Sequence, residues 1–314
     1  MNKLLFTFPG QGAQIPSMLH SLTDTIPCQT WLDKAGHALG EDIMTLDTGK
    51  ALKRTRAVQL CILIAGVAMA DHLMQEKVTP DFVAGLSIGA FPAAVMSGAL
   101  DFADAVKLVS LRGELMENAW PSGYGLSAIS GLIEKDVAVL IETVNRPDNP
   151  VFLANYNAAD QFVIAGKEEA MQAVLDMARA KGAARTERLA VAVPSHCPLL
   201  ADAAQKLFDA IKQVLFKRPA IAYLSGSTGR VLWQPERIAD DLAFNMARPL
   251  YWANAMTAAY ERGVRLAVEM PPGSVLTGLA RRVMTEGEAV SVQQEGLNTV
   301  LRLGERLKNR QGRI

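Results

Sequence analysis

Hydrophobic residues fall into short continuous runs and helically spaced stripes along most of the chain. Leu4-Leu5-Phe6-Thr7-Phe8 is followed at once by Pro9-Gly10-Gln11-Gly12, which predicts a short buried strand closed by a tight loop. Residues 15–55 are more polar and read as helical, with breaks at Pro16, Pro27 and Gly49. From Ala57 to Ala70 nearly every position is apolar, Gln59 being the exception, and a helix apolar on all sides belongs inside a fold. Its 14 residues fall short of the roughly 20 needed to cross a bilayer, so no membrane span is expected. Thr79-Pro80-Asp81 reads as a turn, Phe82–Leu86 as a strand, and Ile88–Gly98 as a helix. Asp101–Asn118 reads as another helix, with Asp101 as its N-cap and Asp104 in its first turn.

The rhythm changes at Pro121-Ser122-Gly123-Tyr124-Gly125. Strand 126–131, helix 134–145, strands 151–156 and 161–166, helix 168–182 and strand 185–191 follow, the β-α-β-β-α-β order of a ferredoxin-like unit. Alternation then resumes with helix 199–215, strand 221–225, helices 236–246 and 252–262, strand 265–269 and helix 274–284. The expectation is an α/β protein with a mainly parallel sheet covered on both faces. Residues 1–123 and 192–314 form its discontinuous large domain, residues 124–191 the inserted small one, and residues 311–314 a loose tail.

Composition narrows the function classes. Half of the 314 residues are hydrophobic and 20% are charged, which suits a chain with a substantial core. Lys plus Arg and Asp plus Glu are 32 each, so the balance offers no basic excess for nucleic acid. Cys28, Cys61 and Cys197 form no CxxC, and the N-terminal apolar run is too short for a secretory signal; both point to the cytoplasm. His20, His37, His72 and His196 are scattered with no metal-ligand spacing, so no metal site is expected.

Gly85-Leu86-Ser87-Ile88-Gly89 matches G-x-S-x-G, the sharp strand-to-helix turn that presents a serine hydroxyl at the edge of a sheet. Ser87 is therefore a candidate nucleophile, the alternative being a serine that merely caps a helix. His196, in the proline-bounded loop Val193–Pro198, is the candidate base, since the other histidines fall in or at the ends of predicted helices, the alternative being a surface or capping histidine. Arg112 interrupts the apolar stripe Phe102, Ala105, Leu108, Val109, Leu115, Met116. A guanidinium there needs an anion, a structural ion pair or a route to water. Gln59 reads as a satisfied core amide, the alternative being a side chain that hydrogen-bonds near the cleft, and Cys197 reads as a packed thiol.

Seven motifs occur together in order: Phe8–Gln14, Gly85–Gly89, Leu111-Arg112-Gly113, Asn155–Ala158, Val163–Gly166, Pro194-Ser195-His196 and Pro272–Leu276. In this combination the chain, from about residue 3 to residue 284, resembles the malonyl-CoA:acyl carrier protein transacylases. The resemblance implies an α/β-hydrolase-like large domain with a ferredoxin-like insert. It also implies that Ser87 carries the acyl group, that His196 is its base, and that the backbone N–H groups of Gln11 and Ile88 form the oxyanion hole. Arg112 would hold the malonyl carboxylate. The main-chain carbonyl of Asn245, where the family usually has Gln, would orient His196. Coenzyme A enters as the thioester substrate and no bound cofactor is implied; the partners are malonyl-CoA and an acyl carrier protein.

The family's usual G-H-S-x-G-E becomes Gly-Leu-Ser-Ile-Gly-Ala here, with Leu86 for His and Ala90 for Glu. In this the chain looks most like the epsilon subunit of biotin-independent malonate decarboxylase, which loads malonyl onto a carrier subunit, and other decarboxylase subunits become expected partners. Three alternatives stand beside it. A transacylase of fatty-acid synthesis is disfavoured by Leu86 and Ala90. A serine esterase is disfavoured by Arg112 and the insert. A non-catalytic docking subunit is disfavoured by the intact Ser87, His196 and Arg112.

Overall fold

The computed structural model describes residues 2–120 and 122–311. Its strands in chain order are β1 (Lys3–Phe8), β2 (Phe82–Gly85), β3 (Tyr124–Ser130), β4 (Val151–Ala158), β5 (Gln161–Lys167), β6 (Arg185–Arg188), β7 (Ala222–Ser225), β8 (Val231–Leu232), β9 (Val264–Glu269) and β10 (Glu288–Ser291). They form two sheets.

The larger sheet has the order β10-β9-β1-β2-β7-β8, parallel throughout except for β8. Side chains alternate across a strand, and β1 shows the consequence. Leu4, Phe6 and Phe8 enter the core that contains helices Thr55–Gln75 and Phe102–Ala119, while Leu5 enters a second core with Leu224, Trp252 and Met256. Burial on both faces is why these strands read as unbroken apolar runs. Register places Phe8 opposite Gly85 and Gly85 opposite Ser225. The loops leaving β1, β2 and β7 therefore emerge side by side at the carboxyl edge, where open α/β sheets place their ligands.

The smaller sheet is antiparallel, in the order β4-β5-β3-β6. Helices Glu134–Val144 and Glu168–Ala180 cover one face with a core of Ile129, Val137, Phe162, Ile164 and Val174. The opposite face carries Leu126, Ala154, Val163 and Ala165, which pack with Cys197. Main-chain bonds from Tyr156 N to Leu250 O (2.8 Å) and from Leu250 N to Ala154 O (2.9 Å) join this sheet to the segment after Asn245.

The structure corrects several boundaries. The apolar helix runs over 21 residues, Thr55–Gln75, rather than the 14 of the apolar run. It is thus long and apolar enough to cross a membrane, but 83% of its most apolar stretch is buried inside the protein. The strand expected over 185–191 ends at Arg188. The helix expected from Ile88 begins as a single 3-10 turn, Ser87–Gly89, before α-helix Ala90–Met96. Beyond residue 284 the sequence reading missed β10 and helix Leu297–Gln311, and it also missed the two-residue β8. Of the tail expected at 311–314, Gln311 closes that helix and 312–314 lie outside the described residues.

One close approach sets the position of Arg112. A Cβ on Gly113 would overlap the main chain of Arg56, so only glycine lets helix Phe102–Ala119 lie against the start of helix Thr55–Gln75. Arg56 fastens the contact, its Nε donating to Ser110 Oγ at 2.8 Å and its Nη2 to Glu41 at 2.5 Å. Gly113→Ala is expected to destabilise the protein by about 1–3 kcal/mol, as overpacking does. Thermal unfolding checks this; an unchanged Tm would mean the two helices can separate at no cost.

Candidate active site

Gly85 and Gly89 create the turn that exposes Ser87. A Cβ on Gly85 would overlap the Gly89 carbonyl, and one on Gly89 the carbonyl of Phe8. Ser87 itself has φ 57°, the left-handed region that a side chain enters only when its surroundings hold it there. That combination is the strained elbow expected of a nucleophile at a strand's end. The flanks of the turn are apolar: Leu86 packs against the core that holds Leu224 and Trp252, and Ala90 is buried.

The loop after β1 leans on this turn. A Cβ on Gly10 would come within 3.2 Å of Leu86 O and 3.8 Å of Ser87 Cβ, so Gln11 follows directly beside the serine. Its side chain is held by Gln59, whose Nε2 donates to Gln11 Oε1 at 3.0 Å and lies 3.3 Å from Met116 Sδ. Gln59 thus touches the site through Gln11, and its own Oε1 is buried without a protein partner. Ile88 is the second residue of the 3-10 turn Ser87–Gly89, and the first N–H groups of such a turn have no carbonyl behind them to bond. Gln11 follows Gly10, which contacts the serine turn, and Ile88 follows Ser87 within that turn.

His196 is buried, with φ 65°, and its main-chain N donates to Met246 O at 2.6 Å. Its Nδ1 lies 2.6 Å from the main-chain O of Asn245. A carbonyl can only accept, so Nδ1 carries the hydrogen and Nε2 keeps the lone pair. Burial pushes the imidazole down to about 3, assisted by the charge on Arg112 and opposed by the bond to Asn245. Desolvation is the reason it lies well below the ordinary imidazole value of about 6.5. The neighbouring Cys197 is no rival nucleophile, because burial pushes its thiol up to about 12 and Sγ is engaged with Pro194 O at 3.2 Å.

Arg112 is fully buried, and no carboxylate neutralises it among the described residues. Burial lowers its guanidinium to about 9, which leaves it cationic at neutral pH. Nη2 donates to Ser87 Oγ and to Asn245 Oδ1, both at 3.2 Å, while Nε and Nη1 have no protein partner. A buried cation with unused donors beside a serine hydroxyl is able to receive an anionic group at that hydroxyl.

Ser87, Arg112, His196 and Asn245 are therefore joined in one hydrogen-bonded cluster. Ser87 and His196 are linked through Asn245 and make no direct hydrogen bond among the described residues. Catalytic hydrogen bonds commonly tighten only when substrate is present. The side chain of Asn245 was missed by the sequence reading, which gave this residue a main-chain role alone; nothing in Phe244–Pro249 marks its carboxamide. No group of acidic, His and Cys side chains suited to a metal occurs among the described residues.

The acyl transferase domain family matches residues 5–302. The malonyl CoA-acyl carrier protein transacylase of Escherichia coli K12 is 34% identical over 90% of this chain and 94% of its own length. That of Bacillus subtilis 168 is 31% identical over 93% and 94%. Among solved structures, FabD from Acinetobacter baumannii superposes with a TM-score of 0.91 at 32% identity, covering 96% of this chain and 98% of that one. A malonyl-transacylase in complex with its type II PKS acyl-carrier protein gives 0.89 at 33% identity, with 96% and 99% covered.

The burial of His196 has a consequence for pH. The folded protein keeps the ring neutral well below the ordinary imidazole value of about 6.5, where an unfolded chain would protonate. Acyl transfer from the thioester is expected to stay level from about pH 8 to about pH 5, with its acid limb below that. Stability should decline as pH falls from about 6.5 and be unaffected by this group above it. A kcat/KM profile with an acid limb at about 6.5 would contradict the assigned environment.

Proposed function

We propose that this chain, which belongs to the acyl transferase family and is a malonyl-CoA:acyl carrier protein transacylase, carries the malonyl group between two thiols as an ester of Ser87. The observation that carries this reading is Arg112, a buried cation 3.2 Å from Ser87 Oγ with Nε and Nη1 unused. An acyl group with a second carboxylate matches it; a neutral acyl group would leave the charge uncompensated.

The malonyl carboxylate docks on Arg112 and the Ser87 hydroxyl turns from the guanidinium toward His196. Ser87 Oγ attacks the thioester carbonyl as its proton passes to His196 Nε2. The main-chain N–H groups of Gln11 and Ile88 receive the oxyanion, where one such donor is worth about 10²–10³ in rate. The carbon–sulfur bond breaks, coenzyme A leaves with the proton from His196, and malonyl-Ser87 remains. The carrier thiol then attacks the ester, giving its proton to His196, which returns it to Ser87 Oγ as the carbon–oxygen bond breaks. Two half-reactions on one serine give ping-pong kinetics.

The similarity to malonyl CoA-acyl carrier protein transacylases from two bacteria favours the transacylase of fatty-acid synthesis over the malonate decarboxylase subunit to which Leu86 and Ala90 point. The decarboxylase loading role remains a second reading on those two residues, which make the flanks of the serine apolar. The serine-esterase and docking-subunit alternatives give way to an acyltransferase.

Intact-mass measurement after exposure to malonyl-CoA is expected to show one malonyl adduct, absent in Ser87→Ala; an adduct persisting in the variant would displace Ser87 as nucleophile. Arg112→Ala should lose roughly 10²-fold or more in malonyl transfer and far less in acetyl transfer, because only the former leaves a charge unpaired. Equal losses would make Arg112 structural. Transfer to a phosphopantetheine carrier should exceed transfer to a carrier bearing a dephospho-CoA-derived arm, and the reverse order would establish the decarboxylase reading.

A further inference from the structure

Asn245 is 2% exposed and follows helix Pro235–Phe244, with its main-chain N donating to Asp241 O at 3.0 Å. Asp241 is itself anchored to β7, accepting from Tyr223 OH at 2.7 Å and Ser225 Oγ at 2.8 Å. The residue is thus fixed to the same carboxyl edge that presents Ser87. Its main-chain O serves His196. Its side chain does something separate: Oδ1 accepts from Arg112 Nη2 at 3.2 Å, and Nδ2 donates to the main-chain O of Ser87 at 3.3 Å. The partners dictate this orientation, since a guanidinium only donates and a carbonyl only accepts.

We infer that the Asn245 carboxamide is a specificity-determining positioning residue, which aims Arg112 at the acyl pocket and so sets the preference for carboxylated over neutral acyl groups. The inference rests on the proposed role of Arg112 and adds a residue to it. Arg112 projects from a different helix, Phe102–Ala119, and has no carboxylate to fix its pose; Ser87 Oγ and Asn245 Oδ1 are its two acceptors. When Ser87 turns toward His196 to react, Oδ1 is the acceptor that remains. The neutral carboxamide suits this task because it orients the guanidinium without cancelling its charge. A carboxylate at the same place would compete with the substrate.

Three variants separate the possibilities, read as the ratio of kcat/KM for malonyl-CoA to that for acetyl-CoA, alongside the pH profile. Asn245→Ala retains the main-chain carbonyl for His196, and its ratio should fall by roughly 10-fold, the scale of a hydrogen bond to a charged group. Asn245→Asp, nearly isosteric, should fall further through competition for Arg112. It keeps the question answerable if the alanine variant does not fold. The double variant Arg112→Ala/Asn245→Ala should be no less selective than Arg112→Ala alone, because both changes remove one interaction. The acid limb of the profile should not move in Asn245→Ala. An unchanged ratio in Asn245→Ala and Asn245→Asp, or a loss of rate with a shifted acid limb and no change of ratio, would overturn the inference. If Arg112→Ala itself left the ratio intact, the proposed function would fail; if it abolished the ratio while the Asn245 variants kept it, only this inference would.

Discussion

A guanidinium held away from water, with no carboxylate to neutralise it, is the constraint around which this site is organised. Moving such a charge into a protein interior costs several kcal/mol, and a fold keeps it there only with compensating interactions. Arg112 receives two within the protein, from Ser87 and Asn245, and leaves Nε and Nη1 unused. On the proposed function, that deficit is relieved by an acyl group that brings its own carboxylate. The same charge helps keep His196 neutral. Burial does most to keep that ring neutral, and the Arg112 charge adds to it.

Two backbone devices hold the charge in place. Gly113 admits the main chain of Arg56, which sets the helix bearing Arg112 against the helix bearing Gln59. Gly85 and Gly89 allow Ser87 to be pushed out of the sheet edge. The opposite wall comes from a distant part of the chain, where Asp241, tied to β7, fixes the segment carrying Asn245. The second domain contributes through the packing of Cys197 against Leu126 and Ala154, which seats the loop of His196.

The residues of this cluster differ in how plainly the sequence announced them. Ser87 lay in a turn whose glycines have a steric reason, and Arg112 broke an apolar stripe; both signals are local and visible in one dimension. The strands β1 and β2 were equally plain because burial on both faces leaves nearly all positions apolar, Lys3 and Thr7 excepted. The helix Thr55–Gln75 was read too short because its ends carry polar residues where they reach the surface. Helix Leu297–Gln311 was overlooked although Leu297, Val300, Leu301 and Leu307 carry helical spacing, since its overall polarity resembles a tail. The carboxamide of Asn245 had no sequence signal at all. Its partners are 158 and 133 residues away, and only the fold brings them together. The depressed imidazole likewise follows from burial, which residue identity does not encode.

A crystal structure of the protein with malonyl trapped on Ser87 tests the central claim most directly. The account requires the free carboxylate to lie within hydrogen-bond distance of the Arg112 guanidinium, with Asn245 Oδ1 still accepting from it. It also requires the ester carbonyl oxygen to face the N–H groups of Gln11 and Ile88. A malonyl group whose free carboxylate points to solvent, with Arg112 unmoved and still bonded only to Ser87 and Asn245, would contradict it.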